Sequence, residues 1–232
     1  MSRNTPSSPS RANWKWIRIW DAPVRLFHWT VVLLVAASYI TARSGRIEWH
    51  FLSGYAILAL VLFRIGWGLC GSETARFSRF VRAPGAAIAH LREMLLQPRT
   101  SDPHEAGHNA AGAYMVIALL ALLLFQAGTG LFSNDGLMVE GPLAPLAGGA
   151  LSDTLSAWHE VGFNLILIAV ALHVLAVIVY AVVARQDLVR PMITGWRRLP
   201  QAIPAPAMAP AWRAVLLLAA AAAIVWGITR LG

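Results

Sequence analysis

The chain has 232 residues, 57% hydrophobic and only 13% charged, with a mean hydropathy of +0.58. Ordinary soluble domains carry about a quarter charged residues, so this composition belongs to the membrane class. A net charge of +8 could suit nucleic acid, whereas the single cysteine, Cys70, excludes an internal disulfide, a Cys-rich zinc or iron–sulfur site and the C-x-x-C-H attachment of covalent haem.

In chain order, residues 1–20 start polar and basic (Arg3, Arg11, Lys15, Arg18) and turn Trp-rich (Trp14, Trp16, Trp20). They read as a cytoplasmic tail, unstructured at first and interfacial at its end. Asp21 can cap a following helix and Pro23 suits its first turn, so a first span is predicted over 24–42 with His28 near its start. A secretory leader would share the basic start and the small residues Ala36, Ala37 and Ser38, but cleavage would discard a histidine that the bundle needs, and the segment is expected to stay.

A short turn, 43–49, leads to His50 at the head of a second span, 50–70, with Arg64 fourteen residues further on. An unpaired guanidinium at that depth is costly, so Arg64 either meets an anion or snorkels to the surface. The hydrophilic connection 71–112 holds five arginines. Within it, 84–97 carries Ile88, Leu91 and Leu95 at helical spacing and reads as a surface helix, with His90 a surface or packing residue. His104 and His108 have the i, i+4 spacing of a metal pair, but Pro103 and Gly107 make the surroundings loop-like; an inner-surface role near a cofactor or quinone fits better.

The third predicted span, 113–132, has neither histidine nor charge but carries Gly128 and Gly130 near its outer end; like Gly54 of the second span, they could let a flat ring approach the backbone. A loop, 133–155, has Asp135, Glu140 and Asp153 and no Lys or Arg. The fourth span, 155–184, contains His159 and His173. Fourteen steps of 100° fall about 40° short of whole turns, so both rings leave one face, separated by a rise of roughly 21 Å. A Pro/Ala linker, 199–212, precedes a peripheral fifth helix in 213–232, whose apolar run ends at Ile228.

Positive residues set the orientation. The amino terminus, 71–112 and 185–213 hold fourteen Lys and Arg between them, against two in 43–49 and none in 133–155. The amino terminus is therefore expected on the cytoplasmic side of a bacterial inner membrane, and the basic total marks topology; no nucleic-acid partner is expected.

Depth then pairs the histidines. His28 lies near the inner face and His50 near the outer; His159 is level with His50, and His173 with His28. Each pair can give two axial imidazoles to one iron, the arrangement suited to electron transfer. The expected architecture is an all-α membrane four-helix bundle, 21–198, holding two non-covalent b haems, inner and outer. Arg25 and Arg64 are candidates for inner propionate contacts, and Arg43 and Arg46 for outer ones.

At these residues the sequence resembles the bacterial cytochrome b561 family, especially its hydrogenase-type cytochrome b branch. The resemblance is carried by Trp20-Asp21-Ala22-Pro23-Val24-Arg25-Leu26-Phe27-His28-Trp29, by Arg64-Ile65-Gly66-Trp67-Gly68 with Gly71-Ser72 and Ala75-Arg76-Phe77, and by Gly107-His108-Asn109. Trp158-His159-Glu160, His173 and Met192-Ile193-Thr194-Gly195 complete it, over about residues 15–198. It implies four transmembrane helices, two b haems ligated by His28, His50, His159 and His173, and electron transfer between the quinone pool and a periplasmic partner such as a c-type cytochrome, a hydrogenase or another dehydrogenase. A quinone is expected beside the inner haem, near Trp29 and His108, and a second copy of the chain is a candidate partner. The rival readings are a stand-alone quinol oxidoreductase, separable by turnover of the isolated protein, and a histidine-based proton or metal transporter. The latter predicts an inverted repeat that the sequence lacks.

Overall fold

The computed structural model describes residues 14–96, 107–136 and 139–231. The start of the amino-terminal tail and His104 lie outside the described residues. In order the elements are β1 (Trp14–Arg18), α1 (Ala22–Arg43), α2 (Ile47–Cys70), a 3-10 turn (Glu73–Ala75), α3 (Phe77–Phe80) and α4 (Pro84–Leu96). Then come α5 (Ala110–Leu131), α6 (Ala144–Ala147), α7 (Gly149–Val182), α8 (Val189–Thr194), β2 (Trp196–Pro200) and α9 (Ala211–Ile228). Five of these, α1, α2, α5, α7 and α9, are long and apolar enough to cross a membrane.

Their starts follow from capping chemistry. Asp21 Oδ1 accepts from the Val24 amide at 2.8 Å, with Pro23 in the first turn of α1; Asn109 Oδ1 accepts from the Gly112 amide at 2.7 Å and opens α5. At 34 residues, α7 is about 51 Å long and begins earlier than the apolar run alone indicates, because 149–154, ahead of that run, are helical too.

The helices pack α1 on α2, α2 on α5 and α5 on α7, with α9 on the free side of α2. Tyr39 of α1 stacks on Phe163 of α7, centroids 5.1 Å apart and planes 9° from parallel. Three apolar layers fill the interior. At one end Ile17, Trp20, Val24, Phe63, Trp67 and Leu199 pack together; Val31, Ile57, Val61, Leu120, Leu123 and Ile166 form the middle; Leu58, Leu131, Leu143 and Val225 close the other end.

Two features go beyond the reading of the sequence. The Trp-rich end of the tail is a β-strand, paired antiparallel with β2 in the register Trp16↔Arg198 and Arg18↔Trp196. Its alternating pattern buries Ile17 and Leu199 on one face. The segment foreseen as a linker is also pinned: the Ala207 amide donates to Glu73 Oε2 at 3.0 Å, Glu73 N returns a bond to the Ala207 carbonyl at 2.9 Å, and Ala209 N donates to Ser72 Oγ at 2.9 Å.

Candidate functional site: two facing histidine pairs

Four histidines meet in two pairs at the two ends of the middle apolar layer. His50 of α2 faces His159 of α7 with ring centroids 6.1 Å apart and planes at 88°. His28 of α1 faces His173 of α7 at 6.4 Å and 59°. An imidazole nitrogen sits about 2 Å from a metal it ligates and the ring centre about 1 Å further, so two imidazoles sharing one metal have centroids roughly 6 Å apart. Both pairs have that spacing.

The outer pair is held by its far nitrogens. His159 Nδ1 lies 2.9 Å from the Gln126 carbonyl and 3.3 Å from Thr129 Oγ1; His50 Nδ1 is 3.0 Å from both the carbonyl and the hydroxyl of Ser38. A carbonyl only accepts, so each Nδ1 carries the proton and each Nε2 keeps its lone pair for a metal, the usual outer-shell support of a ligating histidine. The supporting roles of Ser38, Thr129 and Gln126 escaped the reading of the sequence. Ser38 and Thr129 left a signal, as polar side chains inside otherwise apolar spans, whereas Gln126 acts on His159 through its main-chain carbonyl, which leaves none.

Two clefts, of about 180 and 430 Å³, are both lined by His50, Gly54, Ala127 and His159. A flat macrocycle held between the imidazoles needs such space beside both rings. The glycines behave differently from one another. Gly54 lines both clefts and a Cβ there would meet nothing within 4 Å; at Gly130 it would stand 2.8 Å from His159 Cε1, so Gly130 makes room for the ligand ring itself. Gly128 lines neither cleft and faces open space. Arg43 lines the larger cleft with its guanidinium over the Tyr39 ring, whereas Arg46, at the exposed start of α2, lines neither.

At the other end, His28 Nδ1 is buried and has no hydrogen-bond partner among the described residues, and the Trp29 ring stands nearly perpendicular to the His28 ring, centroids 4.8 Å apart. Trp29 Nε1 donates to the Met192 carbonyl at 3.2 Å, and Arg25 Nη1 donates to the Ile193 carbonyl while its Nε is buried and unpartnered. The Gly195 carbonyl accepts from the Ile19 and Trp20 amides at 2.8 and 3.2 Å. Gly195 has φ +88°, and a Cβ there would stand 2.8 Å from the Trp20 carbonyl oxygen, so the turn requires glycine. The stretch 192–195 is thus a bracket for the start of α1.

Arg64 is 2% exposed, so it does not snorkel. Its Nη1 donates to the Ala75 carbonyl at 3.3 Å, its guanidinium lies over Phe77 at 5.3 Å, and Asp21 acts on it as a countercharge. Asp21 also accepts from Trp67 Nε1 at 2.9 Å. His108 sits in an aromatic slot, 4.5 Å from Trp20 and 4.6 Å from Phe80. The residue is only partly covered, but its Nδ1 is enclosed without a partner; burial, and then the Arg64 charge, hold its pKa down at about 3.

Residues 19–195 match the family described as prokaryotic cytochrome b561. The chain belongs to that family. It is therefore a helical, multi-pass membrane cytochrome of the b type, with haem b as its cofactor and electron transfer as its work. Similar proteins include the probable Ni/Fe-hydrogenase B-type cytochrome subunits of Cupriavidus necator, 26% identical over 77% of this chain and 86% of the relative, and of Azotobacter vinelandii, 27% identical over 78% and 88%. That of Rhodobacter capsulatus is 25% identical over 78% and 81%. No solved structure matches the cytochrome. The family match ends just before β2, so β2, the pinned segment after it and α9 lie outside it.

Proposed function

We propose that the cytochrome is a two-haem conduit carrying electrons across a bacterial inner membrane between the quinone pool and a redox enzyme on the periplasmic face. His28 and His173 would hold the inner haem, and His50 and His159 the outer. One observation carries this reading: two facing imidazole pairs, at two depths, each with the spacing of two ligands on one metal. Bound haem supplies the one-electron couple.

The chain supplies the rest. Ser38 and Gln126 fix the outer rings through Nδ1 and leave Nε2 facing the iron site. Held by two imidazoles, each haem would have no coordination site open to a substrate. The middle layer around Val61 and Ile166 keeps water and ions from the space between the pairs. Arg43, which lines the outer cleft, and Arg25, whose Nε has no partner among the described residues, would meet the propionates. Arg64 is better read as the anchor of the inner end, since Asp21 and the Ala75 carbonyl already engage it. A quinone would approach the inner haem beside Trp29, which is 40% exposed and touches His28. The curated relatives' name makes a hydrogenase the first partner to try, at the outer loop 133–155, where no Lys or Arg occurs.

The deciding experiment is a haem count by pyridine haemochrome on the purified chain, followed by hydrogen-driven haem reduction in proteoliposomes with a membrane-type hydrogenase outside and quinone in the bilayer. Two haems per chain, both reduced by hydrogen and reoxidised by quinone, are expected. One haem per chain, or haem that hydrogenase leaves oxidised, would overturn the corresponding part.

A further inference from the structure

One face of the two-stranded ribbon is exposed among the described residues. Ile17 and Leu199 point inward and are buried with Val24 and Trp67. The opposite face sets Trp16 directly across from Arg198, and Arg18 across from Trp196. This makes a checkerboard of two indoles and two guanidinium groups, all exposed, the indoles at 51% and 46%. The Arg190 guanidinium of α8 lies 4.8 Å above the Trp16 ring and adds a third positive charge. Among the described residues, neither Arg18 nor Arg198 forms an ion pair. Only Ile19, Trp20 and Asp21 separate this face from the first residue of a membrane span, and the Gly195 carbonyl ties both of the first two to the turn before β2. A ribbon this close to the end of a span is expected at the headgroup layer, which is about 5–7 Å thick on each side of the hydrocarbon.

We propose that this face binds anionic phospholipid headgroups of the leaflet in which it lies, with Arg18 and Arg198 on the phosphates and Trp16 and Trp196 at the boundary with the acyl chains. The pairing of exposed indole with arginine favours lipid over an acidic protein surface, because tryptophan concentrates at the bilayer interface and arginine meets anionic lipid there. Neither the haem ligands nor the sidedness of the membrane enters this argument.

The test uses the full chain in phosphatidylcholine vesicles containing either spin-labelled phosphatidylglycerol or spin-labelled phosphatidylcholine, and reads the motionally restricted fraction of each. Wild type should prefer phosphatidylglycerol, and the preference should disappear in high salt. It should fall by roughly fivefold per arginine in R18Q/R198Q and persist in R18K/R198K and in the control R92Q. Unchanged haem absorbance reports an intact fold; if the double variant loses it, R198Q alone reads the same quantity. An unaltered preference in R18Q/R198Q would overturn the proposal, including the case in which those variants lose an acidic protein instead. An equal loss in R92Q would do so too.

Discussion

The imidazole planes of His50 and His159 stand at 88°, nearly perpendicular, whereas those of His28 and His173 are at 59°. Axial plane orientation controls how a low-spin ferric haem splits its d orbitals, so the two sites should be spectroscopically distinct. The oxidised protein should show two low-spin EPR signals, the more anisotropic one from the outer pair. Replacing His159 with Ala should remove that signal and leave one haem per chain; His28→Ala should remove the other. A single signal, or loss of both from either change, would break the assignment of one pair to one iron.

Gly130 is the sharpest steric test of the outer site. Gly130→Ala sets a Cβ at 2.8 Å from His159 Cε1, which must push the ligand ring aside, and should cost most of the outer haem while sparing the inner. Gly128→Ala, where a Cβ meets nothing within 4 Å, should retain the full haem content. Haem per chain with the EPR signals above measures both.

Asp21 performs three tasks at 4% exposure: it caps α1, accepts from Trp67 Nε1 and balances Arg64. Asp21→Ala should destabilise the fold by about 3 kcal/mol, combining a lost cap with an orphaned indole N–H. Asp21→Asn keeps a cap and an acceptor but not the charge, and should fall between. Denaturant titration in detergent, followed by Trp fluorescence, gives the order; equal stability of all three proteins would contradict it.

His108 makes stability depend on acid. Its pKa is about 3 in the fold and near 6.5 in an unfolded chain, so the unfolded state binds the extra proton between those values. Stability is then lost as pH falls below about 6.5 and levels off near 3. His108→Phe, which fills the slot between Trp20 and Phe80 without a titrating group, should flatten this part of the profile of thermal midpoint against pH. An unchanged slope would mean that the enclosed imidazole is not the sensor.

The primary sequence by itself determined the spans, the cap at Asp21 and the relation of His159 to His173, because a 3.6-residue repeat and the thickness of a bilayer turn spacing into depth. Equal depth then singled out which histidines stand opposite each other. Only the tertiary structure decided what lies beside them. The carbonyls that orient His50 and His159 are main-chain groups, of which sequence carries no residue-specific trace. Arg64 faces inward because the cap of α1 and the turn after α2 bring Asp21 and the Ala75 carbonyl to it. Trp14–Arg18 becomes a strand only because Trp196–Pro200, some 180 residues later, returns beside it. A lone strand cannot satisfy its own backbone, so that partner had to be seen, not read.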